Sequence, residues 1–518
     1  MNKEVLALEF LGDIIKTSPF AGKVFLAGGA VRDEVMGKDI KDIDIVVADK
    51  EGGIVFANWL TKQLGAYREG ANPVVFPRFG TAKFNLRGVK YKGVDLSTVD
   101  IESVMTRGEQ YFPGSRKPTV VYADLKTDVE RRDFTVNTLL KDLTTGKILD
   151  LTGKGMDDIK RGIIRTPIDP DITFKDDPLR MLRAIRFATK YNWKFPRSLV
   201  DALIKNSIQL KNISSERTQD EFNKMIMTDS PDVALKLLEK TGLLKQFMPE
   251  LSDTVGVGQN QFHKDDVFNH ICEVVKKTPP NLTARLSAIL HDIGKPLKKT
   301  EDDTGIHFYR HEEVGAKLST EILKRLKYPN DITSSVSKIV ENHMRLKASG
   351  PKSEKLTDKA LRRFVVDMGE DIVAAMGVMS ADNLSHEEGS VMPDQIPSII
   401  ERMKTVFSNV QTPKAQLPIN GHDIMNTFGV TPGPYMKTLL GAVEDAWYEN
   451  PDLSKEDALR IVKSFLEEPT AQTNMNDLLQ QTIINPETDN RILVKTALQY
   501  DETHPARRAA EDFIKRNR

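Results

Sequence analysis

The stretch "KDIDIVV" alternates Asp42 and Asp44 with Ile43 and Ile45. On a strand, side chains two apart share a face, so both carboxylates point one way and both isoleucines the other. Like charges on one face raise each other's pKa. A divalent cation is the common reason to keep such a pair, and magnesium favours carboxylates combined with substrate phosphates. The plainer reading is an edge strand with a solvated acidic face. It is the weaker one here, because "VFLAGGAVRD" stands just upstream. There a strand-like run ends in Gly28 and Gly29, whose bare backbone can approach a phosphate closely, with Arg32 following. Downstream, "RRDFTVN" offers Arg131, Arg132, Asp133 and Asn137, a set suited to a triphosphate and a ribose. Asp95 in "KGVDLST" is the candidate third carboxylate.

A further stretch, "DDPLRMLRAIRF", sets Asp177 and Pro178 before Arg180, Arg183 and Arg186. Asp177 suits an N-cap and Pro178 a first helical position, where its missing N–H costs nothing. The arginines fall on one stripe of a helix, with Met181 and Ile185 opposite. Alone, this describes a capped amphipathic helix with a solvated face. A neighbouring phosphate or base would give the stripe chemical work.

Histidines dominate the next candidate site. "VFNHICEVV", "AILHDIGKP", "RHEEVGAKL", "ENHMRL" and "SADNLSHEE" place His270, His291, Asp292, His311, His343 and Asp382 on helical stretches. A lone buried histidine is usually a satisfied core residue. An adjacent His–Asp pair inside an apolar helix needs a compensating partner, and imidazoles with carboxylates suit a transition-metal hydrolytic site. His263, His307 and His386 fall in the same region, with His422 and His504 beyond it.

The elements that must position these groups change character along the chain. Residues 20–150 alternate strand-like runs ("KVFLAGG", "IDIVVAD", "TAKFNLRG", "YKGVDLST", "KILDLTG") with helical stretches, punctuated by glycine and proline. From about residue 170 helical periodicity takes over. "LSDTVGVGQNQF" separates two helical regions, "SNVQTPKAQLPINGHD" reads as a further linker, and the final stretch reads as helical and polar. A chain of 518 residues is too long for one core. With 74 basic and 74 acidic residues it is not coated in positive charge, so a nucleic-acid partner would need a local basic stripe. Cys272 is the single cysteine, which excludes an internal disulfide framework and fits a reducing compartment. No apolar run approaches the ~20 residues of a membrane span, and the N-terminus does not read as a signal peptide. A cytoplasmic location is expected.

"GGAVRD", "DIDIVV", "RRDFTVN", "DDPLRMLRAIRF" and "ERTQDEFNKM" follow one another as in class II tRNA nucleotidyltransferases, the CCA-adding enzymes and their poly(A) polymerase relatives. Residues 20–230 resemble that family. The resemblance implies that Asp42 and Asp44 hold catalytic magnesium, and that Arg131, Arg132, Asp133 and Asn137 grip the nucleotide. It further implies that Asp177 and Arg180 read the incoming base and that Arg217, Glu221 and Lys224 brace the neck helices. Arg107 would belong to a mobile loop. The family usually carries Glu-Asp where this chain has Asp176–Asp177. Residues 255–400, through "HDIGKP" above all, resemble the HD phosphohydrolase superfamily. There His270, His291, Asp292 and Asp382 would form the minimal metal set, with His311 and His343 extending it toward two metals such as manganese, nickel or cobalt.

The expected fold is α+β. It comprises a polymerase-beta-like nucleotidyltransferase head with a mixed sheet (1–165), a helical neck for base reading and RNA binding (166–250), a helical HD domain (251–410), and a helical body and tail (411–518). The expected activity is template-independent addition of CCA to tRNA 3′ ends from CTP and ATP, with tRNA as partner, no membrane, and a possible phosphohydrolase activity for RNA end repair. A poly(A) polymerase or A-adding enzyme shares every head motif. A nucleotide phosphohydrolase with the head kept as a binding module is the rival of another class, and the intact Asp42–Asp44 pair speaks against it.

Overall fold

Alternation of buried and exposed side chains builds the sheet that carries the paired carboxylates. In the computed structural model its strands are β1 (Val24–Ala27), β2 (Ile43–Val47), β3 (Val74–Phe76), β4 (Thr81–Asn85), β7 (Asp100–Met105), β10 (Leu140–Asp142) and β11 (Ile148–Leu149). Two hairpins stand apart from it, β5 (Lys90–Tyr91) with β6 (Val94–Asp95) and β8 (Arg107–Gln110) with β9 (Thr119–Tyr122). The seven strands run in the order β11-β10-β1-β2-β7-β4-β3. Only β2 and β7 pair in parallel, so the sheet is mixed as expected. Phe25, Ala27, Val46, Val129 and Leu140 close the core on one side of it. The register sets Asp44 beside Glu102 and Ile45 beside Ser103.

The described residues are 2–65, 72–110, 119–259, 265–346, 356–387, 390–407, 417–433, 435–467, 482–484, 491–493, 498, 504 and 507–511. The chain divides into two compact units, Met1–Met344 with Ala374–Val391, and Arg345–Val373 with Met392–Arg518. The first holds the sheet, the helix Leu179–Tyr191 packed on the helix Ser215–Ile226, and the histidine-bearing helices. A short hairpin, Thr300–Asp302 with Gly305–His307, interrupts the latter. In the second unit, the helices Gly421–Phe428, Tyr435–Glu449 and Lys455–Glu467 enclose Ile424, Leu439, Val443, Ala458 and Val462.

The tail departs from the helical expectation in part, since residues 507–511 are helical. Thr482–Ile484 pairs antiparallel with Arg491–Leu493, and these β-branched and aliphatic runs are too short for a helical face. Among the described residues no helix is long and apolar enough to cross a membrane.

Candidate functional site

A cleft of about 430 Å³ gathers Gly28, Gly29, Arg32, Asp44, Arg131, Arg132, Asp133, Asn137, Asp177, Arg180, Arg183 and Arg186. Residues far apart in the chain thus share one cavity. Gly28 ends β1 at φ 68°, a conformation that side chains resist, and hands the chain to the short helix Gly29–Val35. Asp42 and Asp44 both face solvent beside the buried Ile43 and Ile45, as strand alternation requires.

Asp95 is not the third carboxylate. It lies exposed on the β5–β6 hairpin, where its Oδ1 accepts from the Ser97 backbone N–H at 3.0 Å and from Ser97 Oγ at 2.5 Å. The carboxylate that the register sets beside Asp44 is Glu102 on β7, which stands 3.1 Å from Lys83 Nζ. Asp44 is pushed above the ordinary carboxylate range first by partial loss of water around it on this central strand, then by the charges of Glu102 and Asp42. These three acids form an open fan. Such a donor set fits magnesium, which keeps several waters and takes substrate phosphates as ligands.

Asp128 organises the arginine pair. Fully buried, it sets Oδ1 2.8 Å from Arg131 Nη2 and Oδ2 2.9 Å from Arg132 Nη2. Burial pushes its carboxyl up, but Arg132 and Arg131 outweigh this and hold it below the ordinary value. Sequence reading missed Asp128; its position three and four residues before two arginines was the available signal. Asp133 is committed to structure. It accepts from the Phe134 N–H at 2.8 Å, from Asn137 Nδ2 at 2.9 Å and from Arg183 Nη2 at 2.6 Å. Arg32 is also buried, donating to Asn137 Oδ1 at 2.6 Å and to Asp33 Oδ1 at 2.9 Å.

The arginine stripe is less free than its sequence implies. Arg183 is engaged by Asp133, and Arg186 Nε donates to Glu221 Oε2 at 2.6 Å. Arg180 donates to the carbonyls of Thr173 at 3.2 Å and Arg131 at 2.7 Å, tying the helix to the arginine pair. Asp177 is extended, just before the helix, and accepts the Leu179 N–H at 3.1 Å, which is the capping contact expected. Its other oxygen takes Arg217 Nη2 at 3.1 Å. Lys224 pairs with Asp220 at 2.5 Å and stands 4.0 Å from Glu221. All three expected brace residues therefore lie on the helix packed against the arginine stripe. Arg107 begins β8, while residues 111–118 of its loop lie outside the described residues.

A second centre assembles from the histidine helices. His270, His291 and Asp382 form one buried trio and Asp292, His311 and His343 another, with the ligand atoms of each within 4.8 Å of one another. Asp292 joins them. Its Oδ2 lies 3.2 Å from His291 Nε2, and its Oδ1 lies 3.2 Å from His311 Nε2. His311 Nδ1 and His343 Nδ1 stand 2.8 and 2.7 Å from the carbonyls of Phe308 and Val340. A carbonyl accepts only from N–H, so Nδ1 carries the hydrogen in both rings. The two Nε2 lone pairs then face each other at 3.4 Å, and a cation between them resolves that opposition. Such residues fit two metal ions bridged by one carboxylate.

Burial would raise Asp292, but His291 and Lys295 hold it well below the ordinary range. Lys295, 2.7 Å from Asp292 Oδ2, is a buried cation that the sequence reading passed over. Gly294 permits the assembly, since a Cβ there would lie 2.2 Å from the His311 carbonyl oxygen. His263 lies outside the described residues.

Comparison with known proteins follows this division. The Poly A polymerase head domain family matches residues 24–165. "Probable RNA and SrmB- binding site of polymerase A" matches residues 194–254, and the HD domain family residues 267–386. The chain is 30% identical over 319 residues to the multifunctional CCA protein of Pseudomonas fluorescens, covering 60% of this chain and 71% of that protein. It is 29% identical over 468 residues to the A-adding tRNA nucleotidyltransferase of Deinococcus radiodurans, covering 87% of this chain and 97% of that protein. Its fold is similar to that of the Bacillus stearothermophilus CCA-adding enzyme in complex with CTP, with a TM-score of 0.61 at 22% identity, covering 92% of this chain and 100% of that one. The chain belongs to the family of tRNA nucleotidyltransferases and poly(A) polymerases, in the form that carries an HD domain behind its head.

Proposed function

We propose that this protein adds C, C and A in turn to the 3′ ends of tRNA, taking CTP and ATP without a nucleic-acid template. The observation that carries this reading is the single cleft that joins Gly28 and Gly29, the Arg131–Arg132 pair and the Asp177–Arg180 pair to Asp44. Gly28, Gly29 and the arginines bind the triphosphate. Asp177 accepts from an exocyclic amine, and Arg180 donates to the neighbouring ring nitrogen or carbonyl. Cytosine and adenine both offer an amine beside an acceptor, whereas uracil and guanine turn a carbonyl toward the carboxylate. An unmet charged hydrogen bond costs roughly 1.5–3 kcal/mol, about ten- to a hundredfold in selection. Both groups keep capacity for this: each Asp177 oxygen has a second lone pair, and Arg180 has five donors with two in use.

Magnesium held by Asp42, Asp44 and Glu102 would neutralise phosphate charge and acidify the RNA 3′-hydroxyl. In the transfer the 3′-oxygen bonds to the α-phosphorus as the bond to the β-phosphate breaks, and pyrophosphate leaves. We assign the division 1–165, 166–250, 251–410 and 411–518 to head, neck, HD domain and body with tail. A cytoplasmic location accords with the lone, buried Cys272.

For the HD centre the reading is metal-dependent hydrolysis of terminal phosphoesters on RNA, 2′,3′-cyclic or 2′-linked, with manganese, nickel or cobalt. Clearing such an end restores the hydroxyl that the head extends. The decisive experiment supplies tRNA lacking its last three residues with single labelled nucleotides and sizes the products. CTP must be used first and ATP only after two additions. Use of ATP alone on a CC end, with no CTP use on shorter ends, would make it an A-adding enzyme like its Deinococcus relative. Long A-tracts on unrelated RNA would make it a poly(A) polymerase.

A further inference from the structure

The arginine stripe continues one turn past Arg186 to Lys190, which also lines the nucleotide cleft. Its neighbour Tyr191 gathers positive charge. Arg32 Cζ lies 5.0 Å from the centre of the Tyr191 ring, Lys38 Nζ 4.6 Å and Lys190 Nζ 5.2 Å. The ring is itself held in place, with Phe187 stacked 6.1 Å away, Trp193 at 4.8 Å and the hydroxyl donating to Asp33 at 3.3 Å.

A tyrosine face attracts a cation, but it does not cancel the repulsion among three of them. Asp33 is already engaged by Arg32, 2.8 Å from its Nη2. Along the stripe, Arg183 is answered by Asp133 and Arg186 by Glu221. The ammonium groups of Lys38 and Lys190, by contrast, form no ion pair or hydrogen bond among the described residues. Burial, then the charge of Arg32, holds Lys190 below the usual lysine value, as expected where like charges crowd without an anion. Nucleotidyl transfer creates a matching anion. The 3′-oxygen bonds to the α-phosphorus, its proton passing to water, while the bond to the bridging oxygen breaks and leaves its electron pair on pyrophosphate. Negative charge grows on the departing group in the transition state, where a preplaced cation counts most. Lys190 stands ten residues after Arg180, about 15 Å along the helix, so the base and the terminal phosphates of one nucleotide can lie along the same stripe.

We propose that Lys190 and Lys38 seat the β- and γ-phosphates and stabilise the departing pyrophosphate. Tyr191 is the positioning residue that keeps both ammonium groups beside Arg32. The proposal rests on the nucleotide-addition reading and deepens it by naming the leaving-group site.

The test uses the full chain, a tRNA shortened by three residues and two measurements. The first is inhibition by pyrophosphate against CTP. The second is the single-turnover rate ratio between β,γ-difluoromethylene CTP and β,γ-methylene CTP, whose leaving groups differ in basicity. Lys190→Ala combined with Lys38→Ala should weaken pyrophosphate inhibition about tenfold or more. It should also widen the analogue ratio, because a leaving group without its cation depends more on its own acidity. The KM for tRNA should stay within about twofold. Tyr191→Leu should shift both measurements the same way, and Tyr191→Phe, which keeps the ring, should restore them. Wild-type values of either measurement in the double lysine variant would overturn the proposal, and extension by the wild type would leave the addition reading standing. Wild-type values in Tyr191→Leu would remove the positioning role. A wild-type chain that releases no pyrophosphate from CTP on the shortened tRNA would remove the addition reading, and the proposal with it.

Discussion

Asp128 illustrates how a residue that touches no substrate can set the site. Its two oxygens fix Arg131 and Arg132 from inside the fold, so it fixes where their remaining donors point. Its folded-state value is depressed, so its contribution is present above the ordinary 3.8 and is lost as pH falls through the lower folded value. Asp128→Asn should cost about 3 kcal/mol at neutral pH, the low end for a broken buried pair because both guanidiniums keep some solvent. The variant's stability should also flatten below about pH 4 relative to the wild type, read by denaturant melts across pH. At the carboxylate edge the expectation differs. Asp42→Ala with Asp44→Ala should abolish nucleotide addition yet shift stability by no more than about 0.5 kcal/mol, since both side chains face solvent. Retained transfer activity would remove the metal assignment. Arg180→Ala and Asp177→Ala should each narrow the preference for C and A over U and G by about ten- to a hundredfold, measured as kcat/KM ratios. Unchanged ratios in both would return this helix to a merely capped, amphipathic one.

Between elements, the helix Leu179–Tyr191 is held by charge as well as by its apolar face. Glu221 is buried against Arg186, and Arg186 in turn lies 4.4 Å over the Phe187 ring. Glu221→Gln removes one partner of a buried pair and should destabilise by about 3–5 kcal/mol. Double-mutant coupling with Arg186 will separate that pair from general damage. This brace was legible because "ERTQDEFNKM" matched a known motif; its partner was not, since sequence alone shows which residues are charged and not which pair. Glu102 was missed for a definable reason. In "DIESVM" the buried positions are Ile101, Ser103 and Met105, and a polar Ser103 at a core position hides the alternation that marks a strand. Ser103 is tolerated there because its Oγ donates to the Gly53 carbonyl at 2.7 Å. Asp95, by contrast, sat in a clear strand-like run that forms only a two-residue hairpin arm. The glycine turn, the acid pair and the adjacent His291–Asp292 were readable from local spacing, and the rest of the histidine set through the resemblance to the HD superfamily. Glu102 acts through a contact that only the fold supplies, whereas Asp128 and Lys295 stand three or four residues from their partners and went unread despite that spacing.

Across the molecule, the two proposed activities answer to two chemical states of one RNA 3′ end, and that gives them separable failures. On the proposed reading the head requires a free 3′-hydroxyl, whereas the HD centre acts where that hydroxyl is blocked. His291→Ala with Asp292→Ala deletes one member of each trio, Asp292 being also the carboxylate that joins them. On tRNA with a free hydroxyl, this variant should add CTP and ATP at the wild-type rate, which serves as its own control for folding. On the same tRNA ending in a 2′,3′-cyclic phosphate, the wild type supplied with manganese, nickel or cobalt should first open and clear the end and then extend it. The variant should stall without adding a nucleotide. Adding a separate phosphatase and cyclic phosphodiesterase should rescue it fully. Equal extension of the blocked tRNA by both proteins would mean that the histidine trios are structural. Failure of the wild type on blocked ends with every metal would mean that the bridged site acts on another phosphoester, because the ligands' convergence on Asp292 does not depend on which ester is cleaved.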